Sequence, residues 1–102
     1  MSFMSITTWR MTSENETLEH VTELMRRKYF PGLLKLGAVH STLANVELDR
    51  FAIVTVYPSR EVRDQALTHI TDLRSEGAEE FGAELMDALA GEVMATSDDD
   101  KV

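Results

Sequence analysis

Arg50–Tyr57 reads Arg-Phe-Ala-Ile-Val-Thr-Val-Tyr and is closed by Pro58. Eight residues rich in β-branched and aromatic types, ended by a proline, predict a strand. Phe51, Ile53, Thr55 and Tyr57 point one way; Ala52, Val54 and Val56 point the other. The two faces differ little. A strand apolar on both faces needs cover on both sides.

Upstream, residues 38–45 predict a second strand, more polar than Arg50–Tyr57 as an edge strand should be, with Asn45–Asp49 as the hairpin connection. Residues 3–11, Phe-Met-Ser-Ile-Thr-Thr-Trp-Arg-Met, predict another strand, again with apolar groups on both faces. Phe3, Trp9 and Met11 share a face with Ser5 and Thr7; Met4 and Ile6 share the other with Thr8 and Arg10. Between these strands lies a helix over 14–29, with Ser13 and Glu16 in a capping-box pattern and Leu18, Val21, Leu24, Met25 and Tyr29 as its stripe. Pro31-Gly32 should end or kink it. Leu33–Leu36 is read as one more turn and Gly37 as its C′ residue.

Downstream, Ser59 caps a second helix whose stripe is Val62, Ala66, Ile70 and Leu73. Gly77 interrupts. A third helical segment over 78–90 buries Phe81, Leu85, Ala88 and Leu89, Gly91 stops it, and Val93–Ala95 forms a short last strand. Residues 1–96 form one domain, and the acidic residues 97–102 a solvated, disordered tail.

The order is β-α-β-β-α-(α)-β, an α+β, ferredoxin-like arrangement with a four-stranded antiparallel sheet. Its first and third strands are central, which suits the two strands that are apolar on both sides. Helices cover one face. Nothing left in the chain can cover the other, and at roughly 25 cal/mol per Å² a wet apolar face is costly. A second copy of the same sheet is the simplest cover, so a two-fold homodimer is expected.

Composition narrows the function classes. The 102 residues suit one domain, and 43% hydrophobic content is ordinary for a globular one. The absence of cysteine excludes disulfides, thiolate metal sites and a cysteine nucleophile, and fits a cytoplasmic location. No apolar run approaches the ~18–20 residues of a membrane span, and the first residues lack a cationic leader pattern. Net charge is −8, with six acids and no base from Glu76 to Glu92. Such a surface repels a phosphate backbone, so neither nucleic acid nor membrane is an expected partner. The basic trio Arg26-Arg27-Lys28 reads first as cations near a helix C-terminus, and second as an anion site.

Three stretches carry a family likeness: Tyr29-Phe30-Pro31 through Leu36-Gly37-Ala38-Val39, Val54-Thr55-Val56-Tyr57-Pro58-Ser59-Arg60-Glu61, and Phe81 to Val93. Together they resemble the antibiotic biosynthesis monooxygenase-like domains of the dimeric α+β barrel superfamily. The resemblance implies a homodimer with sheets packed face to face and a pocket between each sheet and its helices. It also implies a cofactor-independent monooxygenase, or a related enzyme, acting on a small aromatic or quinol-type molecule. Haem-degrading members use an Asn–Trp–His set with Trp and His beyond the first strand. That set is absent here, where the only Trp is Trp9 and the only asparagines are Asn15 and Asn45.

The residues themselves offer few catalytic groups. His20, His40 and His69 lie on three different elements with no local ligand spacing, so no metal site is expected. No phosphate-binding, dinucleotide-binding or nucleophile-elbow motif appears, so no cofactor is expected. His69 flanks the helix face that meets the sheet and is the candidate pocket histidine. Trp9 and Tyr57 are amphipathic aromatics on the two central strands, either core or interface anchors or the walls of a pocket for a flat ligand. The candidate catalytic set is His69, Tyr57 and Trp9, and the candidate ligand pocket adds Arg10 and Tyr29. Arg10 reads first as one half of an ion pair. The competing reading is a non-catalytic dimeric ligand-binding or accessory protein. Strand register decides whether Trp9 faces the helices or a partner.

Overall fold

The computed structural model describes residues 2–100. Strand β1 (Phe3–Met11) leads to helix α1 (Leu18–Leu24), a π-helical turn (Met25–Tyr29) and helix α2 (Phe30–Lys35). The hairpin β2 (His40–Glu47) and β3 (Arg50–Tyr57) follows, then helices α3 (Arg60–Gln65) and α4 (Leu67–Phe81) and strand β4 (Ala83–Glu92). The antiparallel sheet has the order β2-β3-β1-β4, so the first and third strands are central. The ferredoxin-like topology follows from the sequence as read.

Register settles the faces. Phe3 pairs with Tyr57, Ser5 with Thr55, Thr7 with Ile53 and Trp9 with Phe51, and all eight are buried beneath the helices. Met4, Ile6, Val54 and Val56 take the other face, joined there by Leu89, which is 66% exposed. The helices leave this second face open.

Several local expectations are corrected. The first helix begins at Leu18, four residues later than predicted. Thr17 caps it by accepting from the His20 N–H at 3.1 Å, and Ser13 instead accepts from the Asn15 N–H at 3.2 Å. Pro31 does not end it. The Phe30 N–H reaches the Met25 carbonyl in an i→i−5 bond, and the helix continues through Pro31-Gly32 to Lys35. A π-turn widens the backbone just where proline removes a donor and crowds the preceding turn.

Gly77 does not interrupt α4. It is buried within the helix, where an added Cβ would lie 2.9 Å from the Phe81 ring. The predicted third helix over 78–90 is absent: α4 runs to Phe81, and β4 occupies Ala83–Glu92. The stop is Gly82 and not Gly91, because Gly82 adopts the left-handed φ of 66° that ends a helix. Its carbonyl accepts from the Thr12 and Ser13 N–H groups, which draws β4 alongside β1. Phe81 is buried as expected, but Leu85 and Leu89 lie exposed on the strand. Val93–Ala95 forms no strand, although the Val93 N–H bonds the Ser2 carbonyl at 2.9 Å. Ser97–Asp100 forms a 3-10 turn, and the remainder of the expected tail lies outside the described residues.

Ser59 caps α3 as expected, accepting from the Val62 N–H at 3.2 Å. Ala66 and Ile70 are buried, with Val62 packed against them.

Candidate functional site

The core under the helices divides in two. One cluster gathers Trp9, Val21, Leu24, Met25, Tyr29, Phe51, Ile53 and Phe81; the other gathers Phe3, Ala38, Tyr57, Ala66 and Ile70. Between them runs a band of buried hydroxyls, Ser5, Thr7 and Thr55, each no more than 5% exposed. The cause is a matched pattern in the two central strands. Aromatics at the ends of β1 meet aromatics at the ends of β3, leaving Ser5 and Thr7 opposite Thr55 and Ile53.

A cavity of about 40 Å³ lies over this band, roofed by Met25, Tyr29, Leu33, Ile70, Leu73 and Arg74. Trp9, Tyr57 and Phe81 also line it. Trp9 stacks on Phe51 with centroids 5.9 Å apart and meets the Phe81 ring edge-on at 5.8 Å. The Trp9 Nε1–H donates to Thr7 Oγ1 at 2.8 Å, which satisfies the indole. Ser41 Oγ and Thr55 Oγ1 lie 2.9 Å apart.

The chemistry of the lining is one-sided. Arg74 Nη2 donates to Ser5 Oγ at 3.2 Å, and Arg74 has no carboxylate partner among the described residues. Burial lowers its affinity for its proton, yet a guanidinium remains charged across the physiological range. Tyr57 is 1% exposed, and its hydroxyl makes no hydrogen bond within the described chain. Burial pushes its phenol upward, partly offset by Arg74 and Arg63 nearby. The site therefore offers O–H and N–H donors and one cation, with no carboxylate or histidine in its walls. Such a lining suits an acceptor-rich or anionic oxygen.

Tyr29 presents its ring to the cavity and its hydroxyl to Glu80, to which it donates. Lys28 Nζ reaches Glu80 and lies 3.0 Å from Glu76. Burial first, and then the bond to Glu80, push the Tyr29 phenol far above its ordinary value. Hydrogen bonds from Lys28 and Tyr29 lower the Glu80 carboxyl.

Of the residues singled out by sequence, Trp9, Tyr57 and Tyr29 come together in the cavity. His69 does not: it is exposed on α4, and Ile70 takes the inward position. Arg10 does not either. It lies on the open side and pairs with Glu84 of the same chain at 3.0 Å. The sequence reading missed Arg74 and the hydroxyl band. The signal for Arg74 was its place four residues after Ile70 on the stripe Val62-Ala66-Ile70, a charge where an apolar residue is expected. Among the described residues no group of three or more His, Asp or Glu side chains is placed to hold a metal ion.

No protein-family model and no curated protein sequence matches the chain. Solved structures do. A dimeric ferredoxin-like protein from an uncultured marine organism aligns with a TM-score of 0.68 at 19% identity, covering 92% of this chain and 96% of its own. SnoaB, a cofactor-independent oxygenase from Streptomyces nogalater, aligns with a TM-score of 0.69 at 11% identity, covering 94% and 96%. HapK from Hahella chejuensis aligns with a TM-score of 0.72 at 14% identity, covering 95% and 96%. At these identities the likeness is one of fold. The chain has the ferredoxin-like α+β fold that these structures share.

Proposed function

We propose that this chain works as a cytoplasmic homodimer that binds a small phenol- or quinol-type aromatic between its sheet and helices. We further propose that it acts on that molecule as a cofactor-independent oxygenase or a related enzyme. The buried hydroxyl band carries the reading. Within the chain these hydroxyls are held by Trp9, Ser41 and Arg74, and an apolar core would need no such partners. Ser5, Thr7 and Thr55, with Tyr57 and Arg74 beside them, make sense as a cradle for a ligand oxygen. No membrane-crossing helix is present among the described residues. The dimer rests on the open face of Met4, Ile6, Val54, Val56 and Leu89, and on the dimeric state of similar structures.

The residues can serve such a reaction by holding the ionised ligand. Arg74, Tyr57 and Ser5 stabilise a phenolate or enolate, the electron-rich form that reacts directly with dioxygen. For a ring methylene in its keto form, one dioxygen gives a ring carbonyl and one water. Carbon loses four electrons and dioxygen gains four, so no other reductant enters. Trp9 and Tyr57 flank the space. With neither carboxylate nor histidine in the walls, the ligand proton leaves to solvent.

The cavity is about 40 Å³, well below the ~150 Å³ that takes a benzene ring. Entry of a ring displaces the flexible side chains of Met25, Leu33 and Leu73. The lack of a base favours a second reading, a binding protein that performs no chemistry. An oxygen electrode and product analysis with 1,4-naphthohydroquinone and dithranol decide between them. Enzyme-dependent oxygen uptake that falls in Arg74→Met and Tyr57→Phe supports the oxygenase. Binding without uptake supports the second reading, and no binding of either compound removes both.

A further inference from the structure

A second space lies on the other side of the first helix, and it is larger. A groove of about 290 Å³ runs between that helix and strand β2. Leu18, Thr22, Arg26 and Phe30, spaced by four along the continuous helix, form one wall. Leu43 adds apolar surface, while Ser41 and Asn45 add polar groups. The volume is roughly twice the ~150 Å³ that accepts a benzene ring.

Charge identifies what fits there. The basic trio Arg26-Arg27-Lys28 divides by partner. Arg27 faces Glu23 at 4.0 Å, and Lys28 is held by Glu76 and Glu80. Arg26 has no acid partner among the described residues, although the chain carries eighteen acids. It is also the member of the trio that lines the groove. No carboxylate side chain lines it. An unpaired guanidinium on the same helix face as Phe30 complements an aromatic body carrying one negative group. The planar fork of arginine matches a carboxylate in two parallel hydrogen bonds.

We propose that this groove is a second ligand site, separate from the cavity, that takes an aromatic monocarboxylate with its ring on Leu18, Phe30 and Leu43 and its carboxylate on Arg26.

The test uses naphthalene-2-carboxylate as probe and naphthalene-2-methanol as its uncharged counterpart, followed by calorimetry and by amide chemical shifts. The carboxylate is expected to bind at least ~10-fold tighter than the alcohol, the scale of one charge-assisted hydrogen bond. Arg26→Met should abolish that preference, bringing the carboxylate's affinity down to that of the alcohol. Arg27→Met, which removes an equal charge outside the groove, should leave both unchanged. Shift changes should gather at Leu18, Phe30 and Leu43. Equal affinity for the two compounds, a preference that survives Arg26→Met, or absence of binding at millimolar probe overturns the proposal. Shift changes centred on Ser5, Thr55 and Tyr57 also overturn it and assign the probe to the cavity.

Discussion

Ser41 of β2 and Thr55 of β3 are cross-strand partners with side chains on the helix-covered face of the sheet, their hydroxyl oxygens 2.9 Å apart. Ser41 lines the groove beside β2, and Thr55 lines the cavity over the central strands. Their hydrogen bond belongs to the partition between the two spaces.

Removing that bond from either side should have unequal cost. Thr55 is 4% exposed, so Ser41→Ala leaves a buried hydroxyl unpaired, at about 1–3 kcal/mol. Thr55→Val removes the buried hydroxyl at nearly constant shape and leaves Ser41 within reach of water. Urea unfolding of the two variants is expected to show Ser41→Ala as the less stable. The reverse order would mean that the Thr55 hydroxyl finds another acceptor.

Leu73→Ala should trade stability for binding. Leu73 roofs the cavity and is partly buried against the Trp9 cluster. Its loss is expected to cost about 2 kcal/mol, the low end for a leucine truncation. The added space should tighten binding of naphthohydroquinone as measured by calorimetry. Loss of stability with unchanged or weaker binding would place the ligand elsewhere.

Ile6→Lys should dissociate the proposed dimer. Ile6 is central on the open face, paired across the sheet with Val54 and Leu89. In the proposed dimer a charge there would face the apolar surface of the second copy and be buried without a partner. Sedimentation velocity is expected to show a dimer for the native chain and a monomer for the variant. A native monomer would refute the association.

Glu80 should give an acid-side stability loss of its own. Its folded carboxyl is lowered by Lys28 first and Tyr29 second, whereas the unfolded group titrates at its ordinary value. Stability from this cluster is therefore present above the ordinary glutamate value and lost as pH falls through the folded one. Glu76 and Glu16, with His20 between Glu16 and the Glu80 carbonyl, share the neighbourhood. The Tm gap between the native chain and Glu80→Gln should be flat near neutrality and close towards acid pH. Because Glu80 is about one-third exposed, the gap should be small. A gap that widens towards acid pH would contradict the assignment.

Local pattern was enough for much of the fold. The alternation in Phe3–Met11 and Arg50–Tyr57, the Ser59 cap and the stripe Val62-Ala66-Ile70 each depend on neighbours in sequence, so β1, β3 and the start of α3 were legible. With the element order, they determined the topology and the need for cover on both sheet faces. Ala83–Glu92 was not legible. Its alanines, leucines, methionine and acids favour a helix in isolation, and only pairing with β1 after the turn at Gly82 makes it a strand.

The site belongs even more to tertiary structure. Trp9, Tyr57 and Tyr29 were visible as residue types, but which face they occupy depended on register, where one residue of slip reverses every side chain. His69 and Ile70 differ by about 100° of helix rotation, enough to put one in solvent and the other in the core. Arg74 reaches Ser5 across 69 positions of sequence. A donor set assembled from β1, β3 and α4 has no local signature, because its physics lies in cross-strand pairing and helix rotation.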